Sequence, residues 1–314
     1  MRQFCKEDTK LLFDGKEVSP LLPYESLQAN TRLIQEGQGR LSISGAQEKY
    51  AMVEENGQLV LSKEGMTGTF ILKPQSGDRR FLYQADMPAN EYLTMHIAND
   101  IYHIPTAANG ICFFGNGESA YLCRRFDIKA DGSKYKMEDF TSIAGLNKQR
   151  HGEDYKYTVL SYEDCANIIA RVCISAKVEL LKFYRQIIFN YLFLNADAHA
   201  KNFSLIEYSP GDYRLSPAYD LLNTQLHLST GIFALEKGLF KEGTPITDTT
   251  PIGRPMFYEF GKRLQLPEKQ IEKELAFFAQ QHPVVEEMIN DSLLSEEARK
   301  YYRMDYRYRL STLK

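Results

Sequence analysis

The chain has 314 residues, of which 43% are hydrophobic and 25% charged, and its 38 basic and 41 acidic side chains give a net charge of −3. A charged fraction of this size is ordinary for globular proteins and excludes disordered and fibrous classes. The near balance of charges gives no support for bulk binding of a nucleic acid through its phosphate backbone, so we expect no direct DNA binding.

The sequence also bears on the cellular compartment. No apolar stretch of about 18 residues is present, so we expect no transmembrane helix and no membrane partner. The first ten residues are mostly polar or charged and lack the apolar core of a secretory signal. The five cysteines are odd in number and form no C-x-x-C pair, which is typical of reduced thiols. We therefore expect a cytoplasmic protein.

The N-terminal part of the chain is predicted to be a sheet with one prominent helix. Residues 1–40 are polar and rich in turn-forming residues, which predicts an irregular extension with one short helix over 24–36. Apolar residues at helical spacing predict the prominent helix over 90–101. Short strand-like runs bounded by turn residues, with an Asn-Gly hairpin signal between the first two, are found at 50–53, 58–61, 69–74, 111–114 and 119–125.

Beyond residue 127 the periodic apolar spacing predicts a mainly helical region with one small hairpin, formed by 203–206 and 213–215. The predicted helices cover 162–174, 180–194, 267–281, 283–294 and 295–308. The order of elements predicts an α+β fold with two lobes. A small β-rich N-lobe would span 1–127, and a larger, mostly helical C-lobe would span 128–314.

One segment, LNADAHAKNFSL, carries the polar side chains that phosphoryl transfer requires. We predict that Asp197 accepts the proton of the attacking hydroxyl or orients it. Asn202, five residues later, and Asp220 are predicted to hold Mg²⁺ against the phosphates of ATP. Lys73, on a predicted strand, is predicted to bind phosphate oxygens. A single D-x-x-x-x-N is a weak signal, but its position after a sheet that carries Lys73 and before Asp220 makes the prediction much stronger.

A loop of small residues, SISGAQEK, precedes the first strand of the predicted hairpin. Such a loop lets backbone N–H groups approach phosphate oxygens, and we predict that Ser44, Gly45 and Ala46 line the nucleotide site in this way.

Three motifs in this order resemble the HipA family of bacterial serine/threonine kinase toxins: S-x-x-G-A-Q-E-K at 42–49, D-x-H-x-K-N-F-S at 197–204 and P-x-Y-D at 217–220. RRFD at 124–127 resembles the interlobe hinge of that family. The resemblance runs from about residue 40 to the end of the chain. It implies a bilobal protein-kinase-like fold, with ATP and Mg²⁺ as cofactors.

The resemblance also implies roles for single residues. Lys49 is expected to reach ATP, and Arg124 to Phe126 are expected to frame the adenine. HipA carries an acidic residue at the first hinge position, so a role is expected only for the backbone of Arg124. In the catalytic loop, either His199 or Lys201 is expected to contact a phosphate.

The family further implies regulation, partners and a target. The serine that begins the loop is autophosphorylated in the family, which makes Ser42 and Ser44 candidate sites of autophosphorylation; the added negative charge would oppose nucleotide binding. The loop motif starts too early for the extra N-terminal subdomain of HipA, so the chain resembles the short HipT kinases. The expected partners are a HipS-like small protein and a HipB-like DNA-binding antitoxin. The expected substrate is a tryptophanyl- or glutamyl-tRNA synthetase, whose phosphorylation would inhibit translation.

Several residues also have a purely structural interpretation. Asp197 and Asn202 could cap a helix. Lys73 could be a solvated lysine at a strand end, and Gly45 could simply be a hairpin glycine. Asp220 could be a turn residue.

Glu91 remains open between two interpretations. It could pair with Lys73, as an acid of the equivalent helix does in kinases, or it could be a first-turn acid that the helix dipole favours.

Two other functions also stay open for the whole chain. The D-x-H-x-x-N spacing resembles phosphoinositide kinases, so the substrate could be a lipid. The chain could also be an inactive kinase-like scaffold that binds an antitoxin.

Overall fold

The computed structural model describes residues 4–26, 40–41, 48–63, 65–229, 231–245 and 252–314. Its strands are β1 (Arg40–Leu41), β2 (Lys49–Glu55), β3 (Gln58–Leu61), β4 (Phe70–Pro74), β5 (Asn109–Phe113), β6 (Ser119–Arg124), β7 (Lys136–Asp139), β8 (Ser204–Ser209) and β9 (Asp212–Leu215). Its α-helices are α1 (Lys6–Phe13), α2 (Met87–His96), α3 (Phe140–Ile143), α4 (Lys148–His151), α5 (Tyr155–Thr158), α6 (Tyr162–Val172), α7 (Ala176–Leu192), α8 (Arg254–Arg263), α9 (Glu268–Phe278), α10 (Pro283–Asp291) and α11 (Glu296–Leu313).

The N-terminal sheet is antiparallel, in the order β1-β2-β4-β6-β5, with β3 paired to β2. The predicted hairpin between β2 and β3 is confirmed. Asn56 and Gly57 both have positive φ, 52° and 80°, as a two-residue hairpin turn requires. Helix α2 packs across β4, β5 and β6, so the prominent helix that the apolar spacing predicted covers this sheet.

The second sheet, in the order β7-β8-β9, contains the predicted small hairpin. Helix α6 begins with a capping box, in which Ser161 and Asp164 exchange hydrogen bonds with each other's backbone N–H. Helix α7, buried over most of its second half, packs against α6. The helices predicted beyond residue 127 are confirmed with ends shifted by up to five residues. Strand β7, the short helices α3, α4 and α5, and helix α8 were not predicted.

The prediction of an irregular N-terminal extension is wrong for residues 6–13, which form α1. The charged residues of α1 obscure its pattern, but its C-terminal Leu12 and Phe13 are buried against the first sheet. Of the predicted helix over 24–36, the described residues 24–26 are not helical. The rest of that prediction lies outside the described residues.

The apolar core has two parts of different size. The smaller part joins α1 to one face of the first sheet. The larger part joins α2, α6, α7 and the C-terminal helices. Helix α2 therefore belongs by packing to the helical region, although it lies on the sheet. No helix in the described part of the chain is long and apolar enough to cross a membrane.

Candidate active site

Lys73 lies at the centre of a buried ion-pair cluster. It is on β4, and its Nζ donates hydrogen bonds to Oε1 of Glu91, at 2.5 Å, and to Oδ1 of Asp220. The side chains of Lys73 and Glu91 are only 6% and 3% exposed. The structure thus favours the pairing of Glu91 with Lys73 over a free first-turn acid. It also excludes a solvated Lys73.

A second lysine approaches Asp220 from the neighbouring strand. Strand β2 pairs with β4 with Tyr50 opposite Leu72, which brings Lys49 to the same end of the sheet as Lys73. Nζ of Lys49 donates to Oδ2 of Asp220 at 3.2 Å. Each oxygen of one carboxylate therefore accepts from a lysine, and the four charged groups of this cluster sum to zero.

The protonation states follow from this pairing. Burial alone would raise the pKa of Asp220, but Lys49 and Lys73 outweigh it and hold that pKa well below its usual range. Burial alone would lower the pKa of Lys73, but Asp220 and Glu91 outweigh it and raise that pKa. Asp220 is therefore a carboxylate and Lys73 an ammonium at neutral pH.

The backbone of Asp220 is also unusual, because its φ is 55°, in the left-handed region. Asp and Asn adopt this conformation more readily than other non-glycine residues. The side-chain amide of Asn195 donates to the carbonyl of Asp220 at 3.0 Å and helps to hold the strained residue in place. Strain of this kind is often retained at functional positions.

The catalytic-loop motif follows the C-terminus of α7. The carboxylate of Asp197 is exposed to solvent, and its Oδ1 accepts a hydrogen bond from the hydroxyl of Tyr157 at 2.7 Å. The carbonyl of Asp197 accepts from the amide of Asn202, at 3.0 Å, and from the backbone N–H of His199, at 2.7 Å. Neither Asp197 nor Asn202 caps an α-helix; the two are joined across a tight loop.

The two candidate phosphate contacts of this loop differ in charge. His199 is 7% exposed, and its Nδ1 has no hydrogen-bond partner among the described residues. Burial, although opposed by Asp197, lowers the pKa of His199, so its imidazole is neutral at pH 7. Lys201 is half-buried. Of these two side chains, Lys201 is the one that supplies a positive charge.

The side chains predicted to hold Mg²⁺ offer oxygen atoms, as this ion prefers. Because the amide nitrogen of Asn202 is used by the carbonyl of Asp197, its amide oxygen faces the other way. Asp220 is 22% exposed and can offer its carboxylate. The described residues contain no cluster of three or more His, Cys, Asp or Glu suited to a metal. An Asn and an Asp fit an ion that takes its remaining ligands from water and phosphate.

Residues 41–284 match the family described as "HipA-like C-terminal domain". The chain belongs to this family. A relative from Haemophilus influenzae, named "Putative kinase", is 26% identical over 99% of this chain and 92% of its own length. Another from Sinorhizobium fredii, "Putative kinase Y4mE", is 34% identical over 59% of this chain but 43% of its own length.

Two solved structures share the fold. HipA of Shewanella oneidensis, in a complex with HipB and operator DNA, aligns with a TM-score of 0.67 at 20% identity, over 92% of this chain and 70% of its own. The proinflammatory kinase CtkA of Helicobacter pylori aligns with a TM-score of 0.54 at 15% identity, over 95% of both chains. The predicted α+β, kinase-like fold is confirmed, and the relationships support a kinase-type activity for this HipA-like chain.

The hinge motif of this HipA-like chain contacts the other motifs through Phe126 and not through Arg124. The guanidinium of Arg124 donates two 2.8 Å hydrogen bonds to the carboxylate of Asp14. The backbone N–H of Arg124 donates to the carbonyl of Ala108. Phe126 instead contacts the ring of Tyr219, 5.6 Å between centroids. The hydroxyl of Tyr219 donates to the carbonyl of Lys201 at 3.0 Å. One tyrosine therefore links the hinge, the P-x-Y-D motif and the catalytic loop.

The small-residue loop cannot be placed in this site. Ser42, Ser44, Gly45 and Ala46 lie outside the described residues, so the predictions of phosphate contacts and autophosphorylation there stay predictions. Of this motif, Glu48 and Lys49 are described.

Sequence reasoning missed two residues of the candidate site. Tyr157 carries no motif and lies 40 residues from its partner Asp197. Asn90 is fully buried beside Glu91. Its amide donates to the carbonyl of Asn223 and to Nε2 of His227, each at 2.8 Å, and accepts from the N–H of Asn223. It thereby fastens α2 to the segment that follows Asp220. The available signal was a polar residue on a helix that the apolar spacing predicted to be amphipathic.

Proposed function

We propose that the protein is an ATP-dependent serine/threonine protein kinase that acts as a toxin of a toxin–antitoxin system. The observation that carries the proposal is the bridge of Lys73 between Glu91 and Asp220. It joins a sheet lysine, a helix acid and the acid of P-x-Y-D, which is the combination that phosphate and metal binding in kinases requires. The family and the kinase-named relatives support it.

The residues divide the work as follows. Lys73 and Lys49 would bind phosphate oxygens of ATP, while Glu91 keeps Lys73 charged and in place. Asn202 and Asp220 would hold Mg²⁺, which neutralises phosphate charge when bound. The backbone around Phe126 would frame the adenine.

The catalytic loop would bind and deprotonate the substrate hydroxyl that accepts the phosphate. Asp197 would orient the acceptor hydroxyl and take its proton as the hydroxyl oxygen bonds to the γ-phosphorus and ADP leaves. Lys201, the charged member of the pair with His199, would contact the transferred phosphate. The exposure of Asp197 to solvent suits a carboxylate that must meet a macromolecular substrate.

For the target we propose an aminoacyl-tRNA synthetase, tryptophanyl or glutamyl, as the family resemblance implies. A HipB-like antitoxin is a proposed partner, which is supported by the complex of the Shewanella protein with HipB and operator DNA. A HipS-like partner, the HipT type and autophosphorylation at Ser42 or Ser44 are proposed from the sequence alone.

The test is labelling of a cell lysate with [γ-³²P]ATP by the wild type and by Asp197→Asn. We expect one dominant labelled band of synthetase size with the wild type and none with the variant. Asp131→Asn, which alters an exposed turn carboxylate, is the matched control and should label as the wild type does. Label in the lipid fraction, or equal labelling by wild type and Asp197→Asn, would contradict the proposal.

A further inference from the structure

The side chain of Tyr157 lies across the exposed carboxylate of Asp197. Its hydroxyl donates to Oδ1 of Asp197 at 2.7 Å. Its ring meets His199 edge-on with 5.0 Å between centroids, and the ammonium of Lys156 lies 4.8 Å from its centroid. Burial and the neighbouring Asp197 carboxylate raise the pKa of Tyr157. The hydroxyl therefore keeps its proton and remains a donor at neutral pH.

The substrate hydroxyl that accepts the phosphate must make the same kind of hydrogen bond to Asp197. A hydroxyl that loses its proton to Asp197 has to donate to a carboxylate oxygen from about 2.6–3.2 Å. The hydroxyl of Tyr157 donates to such an oxygen within that range, and its bond is strengthened by the negative charge of the acceptor atom. A substrate hydroxyl that approaches Oδ1 of Asp197 therefore meets the hydroxyl of Tyr157 as a competing donor.

We propose that Tyr157 is a gate of the acceptor site: its hydroxyl occupies the place of the acceptor hydroxyl on Asp197 and leaves when a serine- or threonine-bearing protein segment binds. This inference rests on the proposed kinase function. It deepens that function by naming a residue that the entering protein has to displace. It also assigns a role to α5, which carries no sequence motif.

The movement would involve the side chain and not the backbone of α5. The N–H of Tyr157 donates to the carbonyl of Asp154 at 2.8 Å, and its carbonyl accepts from the N–H of Glu236 at 3.0 Å. Nζ of Lys237 donates to the carbonyl of Val159 at 2.8 Å. The backbone on both sides is thus fixed, whereas a half-buried tyrosine can change rotamer on a fast timescale.

The test is steady-state kinetics of Tyr157→Phe with the purified protein that the lysate experiment labels as acceptor. The variant keeps the ring and loses only the hydroxyl. Since it removes one net hydrogen bond that the acceptor must displace, we expect KM for the acceptor to fall on the order of 5- to 10-fold. We expect kcat and KM for ATP to stay unchanged. Tyr155→Phe, on the same helical turn, is the matched control and should behave as the wild type.

Two results would overturn the gate. A fall in kcat at unchanged acceptor KM would make Tyr157 a positioning residue that orients Asp197 in the reaction. Unchanged kinetics would make the hydrogen bond irrelevant to turnover. Both leave the kinase proposal intact, because in each case the wild type still transfers phosphate to the protein acceptor.

Discussion

The two carboxylates of the candidate site are held in opposite ways. Asp220 is paired with two lysines, one of which is fixed by the buried Glu91. Asp197 is exposed and shares its Oδ1 with a single tyrosine hydroxyl. The charged groups on the nucleotide side of the proposed site are thus part of the protein core. On the acceptor side, the carboxylate of Asp197 is free to exchange its hydrogen-bond partner. Changes on the first side should affect both folding and activity, and changes on the second should affect activity alone.

The largest effect is expected for Asp197→Asn. Loss of a group that accepts the proton in the transition state costs roughly 10²- to 10⁴-fold in rate, so kcat should fall on the order of 10³-fold. Asparagine can still accept from Tyr157, so the free energy of unfolding should change by less than about 0.5 kcal/mol. Phosphotransfer assays and urea denaturation measure the two. A variant that is markedly destabilised would remove the contrast between the two carboxylates.

Lys73→Met should damage both properties. Removal of one partner from a buried ion pair leaves uncompensated charge and costs about 3–5 kcal/mol. Burial raises the pKa of Glu91 even with Lys73 present, and without it the rise should be larger. A carboxyl whose folded pKa lies above its unfolded value loses stability as pH rises through the folded pKa, so the variant should be more stable near pH 5 than near pH 8.

Thermal unfolding of Lys73→Met at several pH values tests this prediction, with the exposed Lys63→Met as the matched control. If the two variants unfold at the same temperature throughout, Lys73 is not part of a buried charge cluster in solution.

Asn90→Ala should have a smaller effect, by cutting the link between α2 and the segment after Asp220. The variant leaves buried backbone groups of Asn223 and one nitrogen of His227 without their partner, and each such loss costs about 1–3 kcal/mol. We expect a loss of about 3 kcal/mol in chemical denaturation, the lower end of the sum for these three groups. Asn99→Ala, at an exposed position further along, should unfold like the wild type. An equal loss in both variants would show that Asn90 has no special role.

Arg124→Ala should have the smallest effect. Its partner Asp14 is 72% exposed, and exposed ion pairs contribute less than about 1 kcal/mol. Because the guanidinium points away from the cluster around Lys73, KM for ATP should stay within about 2-fold of the wild type. A large rise in that KM would show that the Arg124 side chain does contribute to the nucleotide site.

The sequence predicts the site well where the residues of the site lie close together along the chain, and poorly where they lie far apart. Asp197, Asn202 and Asp220 fall in short motifs, whose order after a strand that carries Lys73 made them candidates. Lys73 and Glu91 are 18 residues apart on different elements, so local patterns could not decide whether they meet. Tyr157 joins Asp197 only through the tertiary packing of α5. Local periodicity cannot encode that contact.

The fold shows the same limit. The strands around Asn56 were predictable from turn chemistry, and the long helices were predictable from their apolar spacing. Helix α1 was missed because its charged residues conceal a short apolar end that packs on a distant sheet. The boundary between lobes at residue 127 stays a prediction. The larger core includes α2 from the N-terminal part, so packing does not separate the lobes cleanly.

The left-handed backbone of Asp220 guides the choice of an inactive reagent. Alanine at this position would combine loss of charge with the strain of a positive φ, so its effects could not be assigned to either cause. Asparagine tolerates that conformation and has nearly the same shape. Asp220→Asn would leave two lysine ammonium groups facing a neutral amide. That substitution isolates the charge of the carboxylate, and it gives a form of the protein suited to trapping a polyanionic nucleotide for structure determination.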